Sequence, residues 1–149
     1  MMERTNLLTS FQEFGLADPI ARALQEENYH TPTPIQAQAV PLALKGRDLI
    51  GLAQTGTGKT AAFTIPIIER LLGGPHRTRA LILTPTRELC VQVEESFAKY
   101  GKHSGLDVIP VYGGVGYEPQ VKALRDGVDV VVATPGRLLD HLEKQNVVL

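Results

Sequence analysis

The sequence contains no tryptophan and a single cysteine, Cys90, among its 149 residues. One cysteine cannot form a disulfide within the chain or build a zinc cluster. A chain without a disulfide fits a reducing cytoplasm. No apolar run approaches the roughly 20 residues that cross a bilayer, and the first residues lead into no signal-peptide core. We therefore predict a cytoplasmic protein without a membrane partner.

A large excess of charge is also missing, since the formal net charge is −1. Any contact with nucleic acid must then come from a local basic patch. Aromatic residues make up only 5% of the chain, so base stacking would depend on few side chains. The length suits one domain with its own core, and no repeat or linker divides residues 1–149.

The most informative stretch that is present is the glycine-rich run at 53–60, Ala-Gln-Thr-Gly-Thr-Gly-Lys-Thr. It follows an apolar run at 48–52 that is typical of a buried strand, and it precedes a helix. Strand, glycine-rich loop, Gly-Lys-Thr and helix form the context of a phosphate-binding loop. Lys59 would reach the β- and γ-phosphates, and the Thr60 hydroxyl would bind Mg²⁺. The alternative is an ordinary tight turn between a strand and a helix.

A second informative stretch, residues 29–36, reads Tyr-His-Thr-Pro-Thr-Pro-Ile-Gln. Thr33 suits the N-cap of a helix with Pro34 at its first position. Gln36 lies three residues after Thr33, which matches a capping box. Its carboxamide also matches the N6/N7 donor and acceptor pair of adenine. Both interpretations of Gln36 remain open, and they are partly compatible because the amide has spare hydrogen-bonding groups.

The rest of the sequence alternates strands with helices. We predict strands near 80–83, 108–111 and 128–132, and helices near 87–100, 119–125 and 136–144. Pro110 places the second of these strands at a sheet edge. Such alternation predicts an α/β fold, with an open parallel sheet covered by helices.

Three short polar runs follow these strands: residues 84–89, 112–114 and 134–137. Ligands bind at the carboxyl ends of strands in open parallel sheets. Hydroxyl, glycine and arginine groups at helix starts can bind phosphate. The alternative for Arg87 and Arg137 is a solvated arginine at a helix start.

Together these stretches resemble the first RecA-like domain of the DEAD-box RNA helicases. Residues 29–36 are similar to the Q motif, with Phe11 at its upstream aromatic position, so that 11–36 would be an N-terminal extension. Residues 53–60 match the family's phosphate loop, including its first alanine. Residues 85–89, 113–114 and 134–137 are similar to motif Ia, the GG element and motif Ib.

The resemblance implies ATP and Mg²⁺ as cofactors, and an RNA sugar-phosphate backbone as partner. Lys59 and Thr60 would be the catalytic residues, and Thr60 the metal ligand. The implied ATP-binding residues are Phe11, Tyr29, Thr31, Gln36, Ala53, Gln54, Thr55, Gly56, Thr57, Gly58, Lys59 and Thr60. The implied RNA-binding residues are Pro85, Thr86, Arg87, Gly113, Gly114, Thr134, Pro135, Gly136 and Arg137. His76, His103 and His141 match nothing and are predicted to be surface residues, and Tyr117 is predicted to be a packing residue.

The Asp-Glu-Ala-Asp motif does not occur in the 149 residues. We therefore expect a partial RecA-like domain that ends before the strand bearing this motif, and whose partner is a second RecA-like domain. Without its native neighbours, the strand at 48–53 would be left to pair with another copy or fragment. One hypothesis is a helicase whose full-length form hydrolyses ATP, with this stretch alone inactive. The other is a module that binds adenine nucleotide or RNA without turnover. A different P-loop ATPase or nucleotide kinase explains neither residues 29–36 nor residues 134–137.

Overall fold

The computed structural model describes residues 10–149 as two compact units. The first unit comprises the described residues up to Arg70 together with Tyr100–Ser104, and the second comprises Leu71–Lys99 and Gly105–Leu149. All the predicted nucleotide-binding residues lie in the first unit, and all the predicted RNA-binding residues lie in the second.

The first unit is helical. A 3₁₀ turn at Phe11–Phe14 is followed by α1 (Asp18–Glu26), α2 (Pro34–Leu44) and α3, which begins at Lys59 and runs to Leu71. Apolar side chains of these elements are buried, among them Ile20, Val40 and Ile65, each with 0% exposure. No helix in the described part of the chain is long and apolar enough to cross a membrane.

The predicted strand at 48–52 is wrong. Residues 47–54 have no regular secondary structure, and the side chains of Ile50 and Leu52 are 94% and 90% exposed. A strand is held by hydrogen bonds to a neighbouring strand, and this segment pairs with no other segment among residues 10–149. Its apolar composition therefore does not produce a strand.

The second unit contains a parallel sheet. Its strands are β1 (Ala80–Leu83), β2 (Val108–Val111) and β3 (Val130–Ala133), in the spatial order β1-β3-β2. Val131 of β3 pairs with Leu81 on one side and with Ile109 on the other. The predicted parallel sheet is thus confirmed, with the proline-containing β2 at an edge. β3 is central and buried along its whole length, as expected for a strand with neighbours on both sides.

Three helices follow the strands of this sheet: α4 (Arg87–Tyr100), α5 (Tyr117–Asp126) and α6 (Pro135–Glu143). A core cluster joins residues of β2, β3, α5 and α6, including Val111, Val131, Leu124 and Leu138. Because the strands are parallel, the loops that lead into α4, α5 and α6 all start from the same edge of the sheet.

Candidate nucleotide and nucleic-acid sites

The glycine-rich run forms an irregular loop that ends where α3 begins. Gly56 and Gly58 have positive φ angles of 81° and 86°, a conformation that glycine adopts without steric penalty. The loop leads directly into the N-terminus of a 13-residue helix, whose first N–H groups and positive dipole end favour an anion. This local geometry suits phosphate binding.

The Lys59 side chain closes this loop on itself. Its Nζ donates a hydrogen bond of 2.6 Å to the Ala53 carbonyl oxygen, and Thr57 Oγ1 donates to the Gln54 carbonyl oxygen at 2.5 Å. Lys59 is exposed, and Thr60 is partly exposed. A bound phosphate would therefore compete with one carbonyl oxygen for the Lys59 amine, and the Thr60 hydroxyl lies at the same helix start.

Gln36 connects the 29–36 stretch to this loop. The Thr33 N–H donates to Gln36 Oε1 at 3.0 Å, so the predicted capping box is present. The approach of Thr33 Oγ1 to the helix backbone falls short of a hydrogen bond, and that oxygen is buried without a partner among residues 10–149. Gln36 Nε2 donates to the Gly58 carbonyl oxygen at 3.2 Å. The buried carboxamide thus fixes a helix start and a loop glycine together.

Gly58 is tightly enclosed by these partners. A Cβ at this position would lie 2.3 Å from Gln36 Nε2 and 3.1 Å from Thr33 Oγ1. A Cβ on Gly56 would meet no atom of the described part of the chain within 4 Å. The two glycines therefore differ, because Gly58 is required by a close contact as well as by its φ angle.

Phe11 and Tyr29 border a cavity of about 280 Å³. Phe11 is buried, its N–H donates to the His30 carbonyl oxygen at 3.1 Å, and its ring meets Phe14 edge to face. Tyr29 is 37% exposed. Neither Gln36 nor Thr31 lines this cavity, so the structure brings Phe11 and Tyr29 together but leaves the implied adenine-binding residues in two places.

In the second unit, the loop after β1 meets the loop after β2. Pro85, Thr86 and Arg87 are exposed, and Thr86 Oγ1 accepts a 3.2 Å hydrogen bond from the Leu89 N–H at the start of α4. Gly114 has a φ of 84°, and a Cβ there would lie 2.8 Å from Arg87 Nη1. The Arg87 guanidinium therefore lies directly against Gly114, whose positive φ angle favours glycine.

The loop after β3 joins the same group. Thr134, Pro135 and Gly136 lead into α6, and the Thr134 N–H donates to the Val111 carbonyl oxygen at 2.9 Å. Arg137 Nη1 donates at 3.3 Å to the carbonyl oxygen of Val115, in the loop after β2. Two arginines from two strand ends thus contact one loop, residues 112–116. Arg87 lies against Gly114 and Arg137 against Val115, so both guanidinium groups lie at this loop.

The structure also reveals a buried polar cluster that the sequence analysis missed. His141 was predicted to be a surface residue, but its exposure is 0%, so that prediction is wrong. Its Nε2 lies 2.9 Å from Gln120 Oε1, its Nδ1 lies 3.2 Å from Asn146 Nδ2, and its ring stacks on Tyr117. Burial first, and the nearby charge of Arg137 second, lower the pKa of His141 from its ordinary value of 6.5. These partners are distant in sequence, so only the spacing of apolar positions on α6 could have indicated that residue 141 faces inward.

The other two predicted surface histidines contact acidic groups. His76 lies 3.4 Å from Asp129 and 3.5 Å from Asp107, and His103 lies 2.9 Å from Glu26. The His76 side chain is 52% exposed and that of His103 is 26% exposed. They lie outside both candidate sites.

Comparison with known proteins identifies the family of this chain. The sequence profile of the family described as DEAD/DEAH box helicase matches residues 33–149. The chain is 49% identical over 137 residues to the ATP-dependent RNA helicase DeaD of Escherichia coli K12, covering 91% of this chain and 22% of that protein. It is 45% identical over 137 residues to the DEAD-box ATP-dependent RNA helicase CshA of Geobacillus kaustophilus, covering 92% of this chain and 29% of that protein.

A solved structure shows the same fold. The crystal structure of a hypothetical ATP-dependent RNA helicase from Sulfolobus tokodaii matches with a TM-score of 0.81 and 39% sequence identity. The match covers 89% of this chain and 38% of that one. The sheet is therefore that of a RecA-like helicase domain, and this chain spans about a fifth to a third of the length of the curated relatives named above. The chain belongs to the DEAD/DEAH box helicase family.

Proposed function

We propose that this chain supplies ATP-binding and RNA-binding surfaces of an ATP-dependent RNA helicase. The observation that carries the proposal is the pairing of two sites in one sequence of this family. A glycine-rich loop precedes α3, and two arginines converge on the 112–116 loop at the carboxyl ends of parallel strands. This chain spans only part of the length of its relatives. Their helicase activity is therefore a proposal for this chain and follows from the family it belongs to.

In this proposal ATP phosphates bind the 53–60 loop. The positive φ angles of Gly56 and Gly58 let backbone N–H groups turn toward one anion. Lys59 would contact the β- and γ-phosphates in place of the Ala53 carbonyl oxygen, and the Thr60 hydroxyl would hold Mg²⁺, which would neutralise phosphate charge. Gln36 provides the base contact and uses its remaining lone pair and N–H for adenine. Phe11 and Tyr29 border a cavity that neither Gln36 nor Thr31 lines, so the four implied base contacts require these two groups to come together when ATP binds.

RNA binds through its phosphates to the three loops of the second unit. The proposed contacts are Pro85, Thr86, Arg87, Gly113, Gly114, Thr134, Pro135, Gly136 and Arg137. The guanidinium groups have several donors each, and they lie at helix starts that favour anions. Binding is expected to ignore base sequence, because phosphate contacts carry no base identity.

Binding without turnover by this chain alone is the second candidate. The hydrogen bond from Lys59 to Ala53 favours it, because it keeps the catalytic amine inside a closed loop. We also infer a cytoplasmic location from the single cysteine. A second RecA-like domain is inferred as a partner, and so is a strand that pairs with residues 48–53.

Steady-state ATP hydrolysis with and without single-stranded RNA separates the two candidates. RNA-stimulated turnover by the 149-residue chain, abolished by Lys59→Ala, would establish a complete enzyme. Measurable ATP binding by calorimetry without turnover would leave the binding module. Failure to bind ATP at all would contradict both.

The RNA site has its own test, the salt dependence of RNA affinity. Each phosphate contact contributes about −0.7 to the log–log slope on a single strand. Arg137→Ala and Arg87→Ala should each lower the slope magnitude by about that amount and weaken all sequences alike. Arg22→Ala, at an exposed arginine in the first unit, is the matched control. Weaker binding of only one sequence would argue for base readout.

A further inference from the structure

A buried polar network contacts the Arg137 side chain. It consists of Gln120 on α5, His141 on α6 and Asn146 after α6, and we call it the Gln120 network. Their exposures are 6%, 0% and 6%. Buried polar groups cost free energy unless each is hydrogen-bonded, so the orientation of each group decides what the network does.

The hydrogen bonds fix the orientation of Gln120. Its Nε2 donates to the Tyr112 carbonyl oxygen at 3.1 Å. Its Oε1 is therefore the acceptor that faces Arg137 Nη1 at 3.3 Å and His141 Nε2 at 2.9 Å. One carboxamide thus links the end of β2, the Arg137 guanidinium and the His141 ring.

Asn146 fixes the other side of His141. Its Oδ1 accepts from Arg125 Nη2 at 3.2 Å, so its Nδ2 donates both to Tyr117 Oη at 2.9 Å and to His141 Nδ1 at 3.2 Å. His141 is consequently neutral, with its proton on Nε2 and donated to Gln120. In these contacts each donor atom of Gln120, His141 and Asn146 faces an acceptor, and each acceptor atom faces a donor.

Arg137 is held at several points as a result. Its Nη1 donates to Gln120 Oε1 and to the Val115 carbonyl oxygen, both at 3.3 Å. Its guanidinium carbon lies 5.4 Å from the centre of the Tyr117 ring, and that ring stacks on His141 at 4.5 Å with a 6° tilt. A guanidinium has five N–H donors, so donors remain for a ligand after Nη1 is engaged.

We propose that Gln120 and His141 are positioning residues that hold Arg137 in the orientation that binds an RNA phosphate. The proposal rests on the proposed function of Arg137 as a phosphate ligand. A long side chain that is already ordered loses less entropy when it binds. Gln120 orders Arg137 directly, and His141 acts through Gln120 by holding its Oε1 in place.

A double-mutant cycle tests whether Gln120 acts through Arg137. Gln120→Met keeps the length of the side chain and removes its hydrogen bonds. It should weaken binding of a mixed-sequence single-stranded RNA by about 2- to 10-fold, the worth of one such hydrogen bond. In the Arg137→Ala background the same change should have no further effect. Gln38→Met, at an exposed glutamine of α2, is the matched control and should leave RNA affinity unchanged.

The outcomes separate this inference from the proposed function. If Arg137→Ala leaves RNA affinity unchanged, both are overturned. If Arg137→Ala weakens binding but Gln120→Met does not, only the positioning role is overturned. A loss from Gln120→Met that is equally large without Arg137 would also overturn it, since the glutamine would then act through the fold.

A measurement on the unsubstituted chain covers the case in which Gln120→Met does not fold. Side-chain ¹⁵N relaxation should show the Arg137 guanidinium ordered without RNA, in contrast to the exposed Arg22. The ¹⁵N shifts of His141 should show the neutral form protonated on Nε2 at neutral pH. An Arg137 side chain as mobile as Arg22, or a His141 proton on Nδ1, would overturn the proposal.

Discussion

At the scale of single residues, Gln36 has one observed role, at the start of α2, and one proposed role, in adenine recognition. Its carboxamide bonds Thr33 and Gly58, and each end of the amide keeps one further hydrogen-bonding position. The capping-box and adenine interpretations therefore do not exclude each other. What distinguishes them is base selectivity, because a capping residue has no preference between purines.

We expect ATP and ADP to bind more tightly than GTP, with Gln36→Ala erasing the preference. A mismatched hydrogen-bond pattern at a buried base edge costs about 1–3 kcal/mol, or roughly 5- to 150-fold in affinity. Gln36→Ala should also lower affinity for both nucleotides, because the Gly58 carbonyl loses its donor. Isothermal calorimetry measures both effects, with Gln38→Ala as control. Equal ATP and GTP affinities in the unsubstituted chain would leave Gln36 as a capping residue only.

The two loop glycines give a matched pair of substitutions. Gly56→Ala introduces only the strain of a positive φ, about 1–2 kcal/mol. Gly58→Ala adds a Cβ that displaces Gln36 Nε2, and so breaks a buried hydrogen bond worth about 1–3 kcal/mol more. Urea unfolding should show this difference between the variants. The extra cost should shrink when Gln36→Ala is already present, and an undiminished cost would mean that Gln36 is not the group displaced.

At the scale of elements, the pairing of α5 with α6 predicts a pH dependence of stability. The pKa of His141 is lowered in the folded state, chiefly by burial and then by Arg137. The unfolded chain therefore binds a proton more readily than the folded chain as pH falls below about 6.5. The other groups that face His141 are Asp140 and Lys144 on α6, the Tyr117 ring, and Arg125 through Asn146. Its contribution to stability is present above pH 6.5 and is lost as pH falls through the folded pKa.

Urea unfolding between about pH 7.5 and 5.5 measures this contribution, with a slope of at most about 1.4 kcal/mol per pH unit from one group. His141→Gln should flatten the slope, because glutamine does not titrate. A slope that stays the same in this variant would assign the pH dependence to other groups.

The elements also show how far sequence patterns reach. The strand and helix periods at 80–83, 108–111 and 87–100 predicted elements that the structure confirms, because each depends mainly on its own apolar residues and on its turns. The segment at 48–52 has the same apolar character, but a strand depends on a partner that local sequence does not contain. The glycine-rich loop before α3 was predictable because the residues that form it are consecutive in the sequence.

The Gln120 network was not predictable, because its members contact residues that are far apart in the sequence. His141 bonds Gln120, 21 residues away, and Asn146 bonds Tyr117, 29 residues away. A histidine in a sequence does not indicate which distant residues it will contact, and most histidines in proteins are exposed or partly buried. The contact of Arg87 with Gly114 likewise appears only when two strand ends meet. Residue types thus predicted candidate phosphate ligands, whereas the groups that contact these residues appeared only in the fold.

At the scale of the whole molecule, several apolar side chains and one edge of β1 remain uncovered within residues 10–149. Ile50 and Leu52 are almost fully exposed, and Leu83 of the edge strand β1 is 57% exposed. An unpaired edge and exposed apolar residues favour association with another chain. Burying two such side chains gains about 1.5–3 kcal/mol each, which is large against a total stability of about 5–15 kcal/mol.

We therefore expect the chain to self-associate as its concentration rises, with residues 48–53 gaining hydrogen-exchange protection in the associated form. Replacing Ile50 and Leu52 together by lysine should shift sedimentation velocity profiles toward the monomer, because two charges would have to be buried in any strand pair. The matched control replaces Val148 and Leu149 by lysine, which adds the same charge at another exposed apolar pair and should leave association unchanged. A chain that stays monomeric at every concentration, with residues 49–52 already protected from exchange, would contradict the prediction, since that segment would then have found its partner within one molecule.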